Sequence, residues 1–196
     1  MKKIKLIFTF LALTFALASC ENDGGDSKLN LDNGAVPNIT KSATGDAFID
    51  LIAINNDQSI SLAFNVDLGQ GDVQSMDVVM FYKKSTATYK AVLEANVTSF
   101  PKDYSLSQVD IISAFAEINS AADFEIGDQL IITAELTLKN GKVIVIYNND
   151  GSTNVGIDVT DSPLFSFSQT YNVACPSDLG GTYSVISSGS STDSGP

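Results

Sequence analysis

The side chains in this sequence that could do chemistry are few in kind: twenty-three carboxylates, eleven amines that are all lysine, two cysteines at positions 20 and 175, and six tyrosines. The densest oxygen cluster is Asn148-Asn149-Asp150-Gly151-Ser152-Thr153-Asn154. Ligands at alternate positions around a glycine suit a hard cation such as calcium, but the run lacks the spaced bidentate glutamate of an EF-hand. The same composition also makes an ordinary turn. Asn55-Asn56-Asp57 and Gly69-Gln70-Gly71-Asp72 are weaker versions of it, and no metal or cofactor ligand is assigned. Twenty-three acids supply the residue type for paired-carboxylate glycoside hydrolysis, a pair that is defined in space. The small inferred domain, acids that fall in turns and on polar strand faces, and the absence of tryptophan to line a sugar cleft argue for a protein that is not an enzyme. Lys83-Lys84-Ser85 reads as a solvated strand end rather than a Ser-Lys pair. Tyr82, Tyr89, Tyr104 and Tyr147 lie near strand ends or loops, where a ring can stack on a sugar or anchor a protein; the plainer reading is a ring on the rim with its hydroxyl in water.

What is missing narrows the field further. The chain has no histidine, arginine or tryptophan. Ser/His/Asp and Cys/His nucleophile systems, imidazole metal sites and a neutral-pH histidine switch are therefore ruled out. A formal charge of −12 with no arginine clamp disfavours a nucleic-acid partner.

The elements that hold these residues begin with an address. Lys2, Lys3 and Lys5 precede the apolar run Leu6 to Leu17 and then Ala18-Ser19-Cys20, the order of a secretory signal; the run is too short to span a bilayer. Leu17-Ala18-Ser19-Cys20 resembles the lipobox of bacterial lipoproteins. That resemblance implies cleavage after residue 19, acylation of Cys20 with palmitate-type chains, and a protein anchored to a membrane without crossing it. Without residues 1–19 the chain carries eight lysines against twenty-three acids, a net of −15. Glu21-Asn22-Asp23-Gly24-Gly25-Asp26 has the composition of a solvated tether. It also resembles the acidic export signal of surface-exposed lipoproteins of the Bacteroidota, which implies an outer-membrane, cell-surface location.

From Ile39 onward, short runs of Val, Ile, Phe, Tyr and Thr alternate with Gly, Asn, Asp, Pro and Ser clusters, the pattern of strands and turns. Ala47 to Ile54, Ser59 to Leu68, Met76 to Lys84, Tyr89 to Val97, Leu130 to Leu138, Lys142 to Tyr147 and Phe165 to Val173 are the predicted strands. Ile60, Leu62, Phe64, Val66 and Leu68 fall on one face of the second, and Tyr89, Ala91, Leu93, Ala95 and Val97 on one face of the fourth. Val109, Ile111, Ile112 and Phe115 recur at helical spacing over Ser107 to Ala116, with Ser107 as cap and Asp110 three residues on. Asn140-Gly141 predicts a two-residue hairpin turn with positive φ at both positions.

The expected fold is an all-β antiparallel sandwich of immunoglobulin or fibronectin-III type with one short helical crossing; a jelly roll or small barrel is the second choice. The expected organisation is a signal peptide (1–19), a tether from Cys20 to residue 38, the sandwich (39–175), and a linker with the start of a second β-domain (176–196). With Cys20 lipidated, Cys175 has no partner in the chain. Cys175-Pro176-Ser177-Asp178-Leu179-Gly180-Gly181-Thr182-Tyr183 resembles the junction between two β-domains in lipoproteins that accompany SusC/SusD-type outer-membrane uptake systems. The resemblance implies an accessory binding or scaffold module for nutrient or glycan uptake, with SusC/SusD-like proteins or an extracellular glycan as partners. The alternative is a structural subunit of a surface assembly with no small ligand.

Overall fold

The computed structural model describes residues 34–176. Two sheets pack face to face. The smaller holds β1 (Val36–Lys41), β3 (Leu62–Gln70) and β6 (Lys102–Leu106) in the order β1-β3-β6. The larger holds β2 (Ile49–Asp50), β4 (Val73–Lys83), β5 (Thr88–Val97), β7 (Gln129–Leu138), β8 (Val143–Val145) and β9 (Gln169–Ala174) in the order β2-β9-β7-β4-β5, with β8 also on β7. Every pairing is antiparallel except the short β2–β9 contact. The sandwich expected from the sequence is therefore present. It opens at Val36, three residues ahead of Ile39.

Alternation explains the small sheet. Leu62, Phe64 and Val66 are buried, and their neighbours Ala63, Asn65 and Asp67 are not. β4 behaves differently: Val78 to Tyr82 are all buried, so both faces of the large sheet are covered. Met76, Val78, Met80 and Tyr82 share the inner face with Leu130, Ile132 and Ala134 of β7. Phe81 faces the other way, onto Tyr147 at 5.7 Å between ring centres, and Tyr147 in turn meets Phe167. The segment after β8 thus forms a third, irregular layer, held by Thr133 Oγ1 donating to the Phe167 carbonyl at 2.8 Å. Tyr171 spans the core from β9, its hydroxyl donating to the Ala63 carbonyl of β3 at 2.9 Å.

Several local expectations are corrected. Ala47 to Ile54 is not a strand: only Ile49 and Asp50 pair, and the Asp50 carboxylate then accepts from the Ile52 and Ala53 amides, which starts helix α1 (Leu51–Asn55). An N-cap satisfies two otherwise free amides, and here that outweighs the strand propensity of Ile, Leu and Ile. The last strand begins at Gln169 rather than Phe165; Ser166 instead lies along β1, accepting from the Ile39 amide at 2.6 Å. In the β7–β8 hairpin Gly141 alone has positive φ, at 82°. The Gly141 amide donates to the Leu138 carbonyl and the Leu138 amide to the Lys142 carbonyl. This is a type I turn over Lys139 and Asn140 closed by a glycine bulge, not a two-residue primed turn.

The helical crossing is where the sequence puts it. Helix α2 (Gln108–Ala114) links β6 of one sheet to β7 of the other by way of a 3-10 turn at Ala121–Asp123. Ser107 and Asp110 form the reciprocal capping box, with the Ser107 amide donating to Asp110 Oδ2 at 2.8 Å. A third helical turn, α3 (Ile157–Thr160), lies in the outer layer.

Candidate functional site

The geometry of β5 decides where the sandwich is open. Its register against β4 slips twice, between Val92 and Glu94 and again between Glu94 and Val97. Tyr89 and Ala91 face inward beside Tyr82 and Met80, as the alternation predicts. After the first slip Glu94 pairs with Val78, while Leu93, the extra residue, still packs partly buried against the core. After the second, Asn96 adopts φ 56° with its amide bound to Asp77 Oδ1 at 2.7 Å. A bulge moves one residue out of the period-two pattern, so Ala95 is exposed while Leu93 stays partly buried against the core and Val97 is buried.

Glu94, turned inward at the end of the strand, meets β6. Its carboxylate takes both oxygens to Lys102 Nζ, at 2.5 and 2.7 Å, and accepts from the Tyr104 hydroxyl at 3.0 Å. The lysine ammonium and then the phenol hold the Glu94 carboxyl below the usual carboxylate range. Burial, followed by the same hydrogen bond, pushes the Tyr104 phenol up. Tyr104 stacks on Phe64 with ring centres 5.3 Å apart.

Among the described residues this clasp makes the only side-chain hydrogen bonds between the two strands; β5 pairs with β4 alone and β6 with β3 alone. Between them, capped by α2, lies an open groove of about 390 Å³. Val92, Leu106 and Ala114 form its apolar wall, with Ser105, Ser113 and Asp110 along the rim. Val92 is 55% exposed. The Ser107 amide and hydroxyl hold Asp110 below the usual carboxylate range, so the rim carries a fixed negative charge.

At the other end of the large sheet, Asp128 is buried and accepts from the Tyr82 hydroxyl at 2.9 Å and from the Glu125 amide at 3.1 Å. Lys84 Nζ stands 3.8 Å from the same carboxylate and 2.9 Å from Glu125, and donates to the Asp123 carbonyl at 2.7 Å. Burial first, then the Asp128 hydrogen bond, raises the Tyr82 phenol. The hydrogen bond to Glu125 raises the Lys84 ammonium.

The residues singled out from sequence fare unevenly. Cys20 lies outside the described residues, and Cys175 is exposed and unpaired. The loop from Asn148 to Asn154 closes on itself: Asp150 Oδ1 accepts from both the amide and the hydroxyl of Ser152, which holds the Asp150 carboxyl low. No group of His, Cys, Asp or Glu among the described residues converges as a metal site. Lys84 is committed to the acidic loop, not to Ser85. The tyrosine rings are not rim decoration: Tyr82 and Tyr147 are buried, the latter with its hydroxyl 3.0 Å from Ser168 Oγ, and Tyr104 is clasped by Glu94. The groove was missed because it depends on the double bulge, which no residue type in β5 announces; the asparagine at position 96, tolerant of positive φ, is the one available hint.

Comparison with protein-family models, with curated proteins and with solved structures found no match. No helix among the described residues is long and apolar enough to cross a membrane.

Proposed function

We propose that this protein is a surface lipoprotein of an outer membrane, acylated at Cys20, whose sandwich serves as a non-catalytic binding or scaffold module beside a SusC/SusD-like nutrient or glycan uptake system. The observation that carries the reading is the ordered series of basic n-region, short apolar run and Leu17-Ala18-Ser19-Cys20, followed by the acidic run from Glu21 to Asp26. The open groove beneath α2 is the place where the unit would meet a partner, and its shallowness suits capture or presentation.

The test is metabolic labelling of the full chain with an alkynyl palmitate in a bacterium that makes lipoproteins, with intact mass of the mature protein. Label on the parent and none on C20A, with a mature N-terminus at position 20, supports the reading; an unlabelled parent overturns it. Co-purification of a SusC/SusD-like pair from the native membrane supports the uptake role. Enrichment of other surface proteins alone points instead to a structural subunit.

A further inference from the structure

An acid, an amine and a carboxamide meet on the outer face of the large sheet. Lys90 comes from β5 and Glu135 from β7, two strands away; Lys90 Nζ donates to Glu135 Oε1 and stands 3.5 Å from Asn149 Oδ1. The lysine and glutamate side chains are only 26% and 22% exposed, and the ammonium lies 5.8 Å from the centre of the buried Phe81 ring. Asn149 belongs to the loop after β8. That loop is closed by the Asn148 amide donating to the Ser152 carbonyl at 2.8 Å and the Gly151 amide to the Asn148 carbonyl at 2.9 Å. It sits close against β5, since a Cβ on Gly151 would meet Thr88 Cγ2 at 2.9 Å. At its base Tyr147 packs on Phe81. The three groups are thus brought together by contacts other than their own.

An amine can displace ammonia from a carboxamide when a neighbouring group takes the amine's proton and returns one to the departing nitrogen. Glu135 is placed for both transfers. It accepts a proton from the Lys90 ammonium, which cancels two charges that the protein mostly covers. The neutral Nζ then adds to Asn149 Cγ, and the carbonyl electron pair moves to Oδ1. As that pair returns, Glu135 gives its proton to Nδ2 and the Cγ–Nδ2 bond breaks, its electrons leaving with ammonia. The surplus Nζ proton goes with the ammonia as ammonium. The Glu135 carboxylate is restored, nothing is oxidised or reduced, and the exposure of Asn149 gives the ammonium a way out.

We propose that Lys90 and Asn149 join in an intramolecular isopeptide bond, with Glu135 as the proton carrier. The reaction runs once per chain, needs no co-reactant and does not depend on the surface-module reading. The bond fastens the loop after β8 to β5 across 59 residues of sequence. It restricts the unfolded chain as a disulfide would, in a folded unit whose Cys175 is unpaired.

The test is tryptic mapping of the denatured full chain by tandem mass spectrometry. Trypsin should not cut after Lys90, and residues 85–102 should appear joined to residues 143–196 in one branched species. That species should be lighter than the two peptides together by the mass of ammonia, about 17 Da. K90R keeps a positive charge beside Glu135 but has no nucleophilic amine, and N149A has no carboxamide; each should give the peptides separately. E135Q has no proton carrier and should also leave them apart. All three should melt roughly 10 °C below the parent, because their unfolded chains are released from the cross-link. Separate peptides of full mass from the parent overturn the proposal. So does an ammonia loss that survives K90R, which marks ring closure at Asn140-Gly141 instead, or a link that still forms in E135Q.

Discussion

Tyr82→Phe isolates the contact that ties the acidic loop to the core. The hydroxyl is removed from a fully buried ring that also packs on Phe115 and Phe124, and the ring itself is kept. Asp128 Oδ2 then retains the Glu125 amide at 3.1 Å and Lys84 at 3.8 Å but loses its 2.9 Å phenol donor. A hydrogen bond to a charged group contributes about 1.5–3 kcal/mol, and a buried carboxylate left short of a donor costs towards the upper part of that range. We expect a loss of about 2 kcal/mol. For a unit of about 140 residues the unfolding entropy near Tm is roughly 0.3 kcal/mol/K, so the melting point should fall by about 7 °C. Urea titration gives the free energy and calorimetry the shift, on the parent, Y82F, D128A and the double variant. The double-mutant cycle should show a coupling above about 1 kcal/mol. A Y82F loss under about 0.5 kcal/mol, or strict additivity with D128A, would mean that the hydroxyl makes no net contribution and would refute the reasoning.

Three further outcomes follow from the same geometry. Burial holds Tyr171 up to about 12 and raises Tyr82 further, so both ionise in the unfolded chain before they do in the folded one. Their contribution is complete below pH 10 and is lost as pH rises above it, at about 1.4 kcal/mol per pH unit for each; urea midpoints between pH 9 and 11.5 and phenolate absorbance should show this late class. Ser107→Ala opens the α2 capping box and should cost about 1 kcal/mol by urea titration, with D110A no worse because it removes the other half of the same box. Gly141→Ala meets no neighbour within 4 Å, so its expected loss of about 1 kcal/mol arises from the positive φ alone, and calorimetry should show it without any change in near-ultraviolet dichroism.

How much of this was legible in the sequence depends on whether the deciding interaction is local. The capping box at Ser107 and Asp110 and the alternation of Leu62, Phe64 and Val66 depend on neighbours along the chain, and both were read correctly. The Asp50 cap is equally local, yet it was hidden inside an apolar run that also fits a strand. The buried Tyr82 hydroxyl depends on an aspartate 46 residues away, and the Glu94 clasp on a register slip set by pairing with β4. The outer layer around Tyr147 and Phe167 explains the unbroken apolar stretch of β4, which a two-layer reading leaves half exposed. The signal and Cys20 stand on sequence order alone.

The double slip in β5 also bears on how such a protein can be crowded without harm. Among the described residues its outer flank pairs with no strand; it is ten residues long with Val92 exposed, a ready template for another chain, and the opposite flank of the sheet is only the two-residue β2. An unpaired edge of that length invites strand-to-strand growth between copies. The bulges leave only the stretch from Thr88 to Val92 in regular register, and a two-fold pairing centred on Lys90 would set one lysine against another. Past Val92 the backbone twists inward and Glu94 points at its own partner sheet, so the hydrogen-bonding row is broken where a second molecule would need it. The irregularity that opens the groove thus also guards the molecule against edge-to-edge self-polymerisation.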